Sequence, residues 1–193
     1  GLWFSLILRP DFPPVEAPKC TLMAAVALTK AFHKMGLTNA GIKWPNDILV
    51  NGRKLVGILT EFSGSMEEIS YIVMGIGVNV KTKQEELPEE IKQIATSLLM
   101  EGIDIERTEA FKIILEELEH QYYEVLDCGF DDTLNEWRKL SVTLHQEIEV
   151  RAPGSTYEGV ATDIDNDGNL LVKTSNGDIK RIVAGDVSIR PRK

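Results

Sequence analysis

Between residues 43 and 62 the chain reads KWPNDILVNGRKLVGILTEF. Lys43, Asn46, Asp47 and Lys54 fall within this one short stretch, and an ordinary β-hairpin has no use for that collection. A cation fixed in place stabilises developing negative charge better than water does, because it need not reorganise as the charge appears. Lys54 stands at the head of an apolar run that reads as a strand. A second candidate lies in ISYIVMGIGVNV, residues 69–80. In a strand, alternate residues point to opposite faces. Ile72, Met74, Ile76, Val78 and Val80 then share one face, and Tyr71, Val73, Gly75, Gly77 and Asn79 share the other. Two alternate glycines leave a trough of bare backbone where a flat ligand can lie, although close packing of another element would use them equally well. GIGVNV is not a dinucleotide fingerprint: Val80 stands at the third glycine position, and the glycines lie inside a strand.

These groups need elements to hold them. GLWFSLILR reads as a buried strand and the proline-rich segment 10–18 as a loop. Residues 19–36 repeat apolar side chains at helical spacing up to Gly36, a natural helix stop. DILV and KLVGILTEF, joined by Asn51-Gly52, predict a hairpin, since Asn-Gly accepts the positive φ angles of a two-residue turn. LPEEIKQIATSLLMEG (87–102) predicts a helix with Pro88 and two glutamates in its first turn. A longer helix is expected over 108–127, with Thr108 as its N-cap, and a short one over DDTLNEWRKL; their aromatic residues, including Tyr122 and Tyr123, are expected in the core.

From residue 143 onward EIEVR, TYEGVATDI, NLLVKT, DIKRIV and DVSIR alternate with Pro-Gly, Asp-Gly and Asn-Gly turns, which suggests a small barrel. The expected architecture is therefore α+β, with one domain over 1–142 and a second over 143–193. DIDNDG (163–168) matches the opening of a calcium loop, but Thr174 replaces the closing glutamate and strands flank it, so a solvated turn is expected.

Composition narrows the partners. The net charge of −9 and pI near 4.9 exclude a surface built for nucleic-acid backbones or anionic lipid. Small molecules and proteins remain. Cys20 and Cys128 are too few for a disulfide framework and read as reduced, packed thiols, which fits a cytoplasmic protein. No apolar run approaches the ~20 residues of a membrane span.

Taken in order and at their spacing, GLWFSLILRP, KWPNDILVNGRKLVGIL, GIGVNV and the closing GDVSIR resemble the bacterial biotin protein ligases. The resemblance implies a class II synthetase-like (SH2-like) catalytic domain, with helices over a mixed sheet, followed by an SH3-like barrel. It implies a two-step reaction: biotin's carboxylate attacks the α-phosphate of ATP to give biotinyl-5′-AMP and pyrophosphate, and a lysine ε-amine of a biotin carboxyl carrier protein then takes the biotin and releases AMP. Lys54 matches the family's central lysine, in contact with the biotin carboxylate and the adenylate phosphate. Lys43, Asn46 and Asp47 match the nucleotide side, where Asn and Asp can bind Mg²⁺ or its water shell, while Trp44 and Pro45 stiffen the turn. Gly57, Gly75 and Gly77 match glycines that let the backbone approach the ureido rings of biotin. Asn79 matches a polar contact to the nucleotide or its metal, and Arg190 an arginine reaching from the barrel toward ATP. Family members often dimerise through their sheets, so a homodimer is a further expectation.

Family members also carry, ahead of the strand that opens this chain, a Ser/Thr segment that holds biotin, a Gly/Arg-rich loop that closes over the adenylate and, in repressor types, a DNA-binding winged helix. These segments are not in this sequence. The expectation is a partial catalytic domain with impaired activity on its own and no transcriptional role. Two other classes stay open: a lipoate-type acyl-adenylating ligase, and a noncatalytic module that binds biotin or the carrier.

Overall fold

The computed structural model describes residues 1–152, 155–183 and 188–191, with residues 152, 155 and 188–191 described by backbone alone. Strand β1 (Leu2–Leu8) leads into helix α1 (Lys19–Lys34), followed by β2 (Ala40–Lys43), β3 (Asp47–Val50), β4 (Arg53–Gly64) and β5 (Ile69–Val78). Helices α2 (Arg107–Cys128) and α3 (Asp131–Leu140) precede five short strands: β6 (Glu147–Ala152), β7 (Ser155–Ile164), β8 (Leu170–Thr174), β9 (Ile179–Ile182) and β10 (Ser188–Pro191).

The first five strands form one sheet in the order β1-β5-β4-β3-β2. All its ladders are antiparallel, and parallel pairing among the described residues is confined to isolated bridges, Ile42 with Ser141 and Lys54 with Ala95. Alternation decides its faces. Ile72, Met74, Ile76 and Val78 point into the core together with Ile42, Ile48, Val56 and Ile58. Helix α1 covers this face and is itself enclosed by α2 and α3; Leu22 through Leu28 are all buried, as a helix apolar on every side requires. The opposite face of the sheet stays open, with Trp3, Ile7 and Leu59 exposed.

The last five strands form a second antiparallel sheet, in the order β10-β6-β7-β8-β9, around Ile148, Val150, Ala161, Ile164, Leu170 and Val172. The α+β architecture, with helices on one sheet followed by a small antiparallel unit, agrees with expectation.

Segment 87–102 does not form the expected helix. It runs as turns because its backbone bonds go elsewhere: Lys54 donates its N–H to Ile94 O (2.7 Å), Thr96 to Lys54 O (2.9 Å), Leu98 to Asn79 O (2.9 Å) and Leu99 to Val80 O (2.9 Å). Tertiary pairing overrides a local helix start. Helix α2 begins at Arg107 with Glu106 at its N-cap, so Thr108 lies inside the helix and not at its cap. Cys20 is packed as expected, and burial pushes its thiol up to about 12 with the nearby Glu16 charge adding to the effect, but Cys128 is exposed. Tyr123 is likewise exposed, whereas Trp137 is fully buried.

Candidate active site

The hairpin forms as its sequence dictates, with Asn51 at φ 51° and Gly52 at φ 78° between β3 and β4. Register then aligns the singled-out residues. Trp3 pairs with Gly77, Gly77 with Gly57, Gly57 with Asp47, and Asp47 with Lys43, so one rung crosses all five strands. Directly paired residues share a face, and this rung belongs to the open one. The neighbouring rung runs Ser5–Gly75–Leu59.

Strict alternation would put Lys54 and Gly57, three residues apart, on opposite faces. They share a face because β4 carries an irregularity: Ile48 pairs with Val56 and Leu49 with Lys54, which leaves Leu55 as an extra residue. Leu55 and Val56 are both buried, and Lys54 is turned toward Gly57. A bulge of this kind re-aims a side chain beside a site. The backbone of Lys54 is bound on both sides by residues 94 and 96, and Arg53 reaches Glu101 Oε1 at 2.7 Å, so the bulge is braced from outside the ladder.

The Lys54 ammonium lies 2.5 Å from Asp47 Oδ1, and Lys43 Nζ is 3.6 Å from Asp47 Oδ2. Asp47 Oδ1 is buried and accepts no hydrogen bond of regular geometry, so the Lys54 contact is an ion pair off the hydrogen-bond direction. Gly57 makes room for it: a Cβ there would come 3.1 Å from both Cε and Nζ of Lys54. Gly77 makes room for Trp3 in the same way, with Trp3 Cδ1 at 3.1 Å from the position a Cβ would take. Asn46 is pinned to β4 by exchange with Ile58, donating Nδ2 to Ile58 O (2.8 Å) and accepting Ile58 N–H on its carbonyl (3.0 Å).

An open cavity of about 560 Å³ lies over this arrangement, floored by Gly57, Gly75 and Gly77 and walled by Trp3, Asn46 and Lys54. Of the residues singled out in the sequence, the structure thus brings Lys54, Asn46, Gly57, Gly75 and Gly77 to one cavity, with Asp47 and Lys43 continuing the rung of Gly77 and Gly57. Asn79 does not line the cavity and donates Nδ2 to Thr96 O at 3.0 Å. Arg190 pairs with Glu149 through β10, and its side chain lies outside the described residues. Trp3 and Ser5 were missed. Their signal was present, since the outward face of β1 runs Trp3, Ser5, Ile7 and must lie beside the glycines of whichever strand it pairs with.

Trp44 holds more than its own turn. It is 1% exposed, its backbone N–H donates to Thr143 Oγ1 (2.9 Å), and its indole N–H donates to Gly168 O (3.0 Å) in the second sheet. In the DIDNDG turn the carboxylates already have cationic partners. Arg138 Nε donates to Asp163 Oδ1, Arg181 bridges Asp165 and Asp167, and no metal-binding cluster occurs among the described residues. Nor is the turn fully solvated, for Gly168 and Asn169 are buried.

The chain matches the Biotin/lipoate A/B protein ligase family over residues 1–79 and the biotin protein ligase C-terminal domain over residues 143–190. It is 31% identical over 182 residues to the biotin–[acetyl-CoA-carboxylase] ligase of Paracoccus denitrificans, covering 90% of this chain and 74% of that protein. The chain belongs to the biotin protein ligase family. Another family member, the bifunctional ligase/repressor BirA of Bacillus subtilis, is 38% identical over 190 residues, which are 98% of this chain and 58% of that protein. The chain thus spans little more than half the length of that relative. Among solved biotin protein ligases, the apo enzyme of Aquifex aeolicus superposes with a TM-score of 0.85 at 25% identity, covering 98% of this chain and 82% of that one. The same enzyme in complex with biotin and ATP gives 0.84 at 26% identity, covering 98% and 78%. No helix among the described residues is long and apolar enough to cross a membrane.

Proposed function

We propose that the chain is a biotin protein ligase that forms biotinyl-5′-AMP from biotin and ATP and transfers biotin to a lysine of a biotin carboxyl carrier protein. The observation that carries this reading is the Lys54 ammonium, held against Gly57 at the edge of a glycine-floored cavity. Adenylation brings a carboxylate and a triphosphate together, and negative charge grows on the non-bridging phosphate oxygens. An ammonium fixed beside a low-dielectric floor lowers that barrier, and holding both anions in register supplies a further entropic gain. The bare backbone of Gly75 suits the ureido rings, with Trp3, seated over Gly77, flanking them. Lys43 and Asn46 take the nucleotide side, and Asn79 acts through the backbone of segment 94–98. Arg190 is assigned to ATP on the family resemblance.

Magnesium fits this site in one way. Asp47 is the single carboxylate on the rung, and Mg²⁺ bound to phosphates commonly takes only one or two protein carboxylates, so the ion would share Asp47 with the Lys54 and Lys43 ammonium groups. Asp47 would hold it, and the ion would neutralise phosphate charge. The division into two domains is placed at residue 143. A second copy would pair through the open sheet face and the β1 edge.

The test is biotin-dependent pyrophosphate release and labelling of a carrier domain, with lipoate assayed in parallel. Both activities are expected with biotin, at the impaired level of a partial catalytic domain, and are lost in Lys54→Ala. Release that ignores biotin, or transfer of lipoate in its place, overturns the assignment.

A further inference from the structure

The turn between β7 and β8 is gripped from three directions by the first half of the molecule. Trp44 donates its indole N–H to Gly168 O (3.0 Å), Lys19 of α1 donates Nζ to Asn166 O (3.2 Å), and Arg138 of α3 donates Nη2 to Ile164 O (2.8 Å). Lys19 is 7% exposed, so it is a strut and not a solvated lysine. Gly168 seats the turn against α1: it has φ 81°, and a Cβ there would meet Leu22 Cδ1 at 2.6 Å. The turn is itself made rigid from inside. Asp165 Oδ1 accepts the backbone N–H groups of Asp167 (3.0 Å) and Asn169 (2.9 Å), and Arg181 binds its other oxygen at 2.5 Å.

On the other side of this contact, Trp44 is covalently next to Lys43 and two residues from Asn46. Its backbone N–H is held by Thr143, where the chain enters the second sheet. We infer that Trp44 is a positioning residue: its bond to the Gly168 carbonyl fixes the 43–47 turn and, through Asp47, sets the Lys54 ammonium over the cavity. The second sheet thereby controls the charge-stabilising end of the site through an aspartate-organised turn, independently of any side chain it sends toward the nucleotide. The inference rests on the ligase reading for its kinetic consequence, and on geometry alone for its structural one.

Trp44→Phe removes the indole donor and keeps a ring. Asp165→Asn loosens the turn from the far side and leaves the first sheet untouched. Hydrogen exchange on the full chain reads the result: in both variants the amides of residues 43–58 exchange at least tenfold faster, while those of Ile72 to Val78 in β5 keep their rates. In the ligase assay both variants raise KM for ATP about tenfold and KM for biotin by less, since Lys43 and Asn46 serve the nucleotide side alone, a split that general destabilisation does not produce. Uniform acceleration across β5, or unchanged exchange at 43–58, overturns the inference. Should the unaltered chain show no biotin-dependent turnover, the ligase reading fails while the exchange pattern still decides the coupling.

Discussion

Two charged segments of this molecule are built from the same residue types and end in opposite states. The 163–169 turn and the 43–57 hairpin both combine aspartate, asparagine and glycine, the hairpin with lysines of its own and the turn with Arg138 and Arg181 brought from elsewhere in the chain. In the turn the charges are internally satisfied: backbone N–H groups, Asn169 and Arg181 all converge on Asp165, and its carboxyl is held below the usual aspartate range. Burial alone would raise that carboxyl, and the hydrogen bonds from Asn169 and Arg181 outweigh it. In the hairpin the set is left short. Asp47 Oδ1 is buried without a regular hydrogen bond, and the Lys54 side chain remains 48% exposed at a cavity edge. Asp47 Oδ1 is held by the Lys54 ammonium as an ion pair without regular hydrogen-bond geometry, so the half-exposed ammonium keeps N–H donors for a ligand. Residue type alone separates neither case; the completeness of the partner set does.

The sharpest way to break that contrast is Lys54→Ala. Adenylate formation should fall at least a hundredfold, by analogy with removing one oriented donor from a charge-developing site. The melting temperature should barely move, because the side chain is half exposed. A large loss of stability with little loss of rate would make Lys54 structural, like the residues of the turn.

Gly57→Val comes next in size. Its side chain would occupy the space against which Lys54 Cε and Nζ rest, displacing the ammonium and filling part of the cavity floor. Biotin-dependent pyrophosphate release should drop about tenfold, a loss smaller than that of Lys54→Ala but of the same origin. Rates equal to the unaltered chain would mean that the floor has no part in binding.

The turn supplies the mildest test. The carboxyl of Asp165 is depressed in the folded state, so its contribution to stability is present above the unfolded aspartate value of about 4 and is lost as pH falls through the folded value. Thermal unfolding followed from pH 6 to pH 2 should show this loss, and Asp165→Asn should show a shallower one. Millimolar calcium should leave the melting temperature unchanged, since Arg181 already bridges Asp165 and Asp167. A calcium-dependent rise would return the turn to the class of ligand sites.

Much of the fold was readable where one local rule acts without competition. Asn51-Gly52 fixed the hairpin, the alternation of residues 69–80 assigned both faces of β5, and the regular turns after residue 143 marked five strands. Segment 87–102 was misread because its helix signals are local, while its bonding partners, Lys54, Asn79 and Val80, lie far away in sequence. The interior role of Trp44 was hidden for a similar reason. Its partner Gly168 is 124 residues away, and a buried indole gives no sign in sequence of where its N–H will point. The candidate site was legible as a set of residues, but the side of the sheet on which Lys54 stands was not, because it depends on Leu55 being an unmatched residue in the β4 ladder.

That unmatched residue makes the position of the reactive amine a matter of parity. Pairing Leu55 regularly at the same three-residue spacing would send the amine to the helix-covered side of the sheet, whereas removing one amino acid between Lys54 and Gly57 would keep it on the open face by plain alternation. The bulge and the spacing therefore have to be kept or lost together for the amine to stay at the cavity.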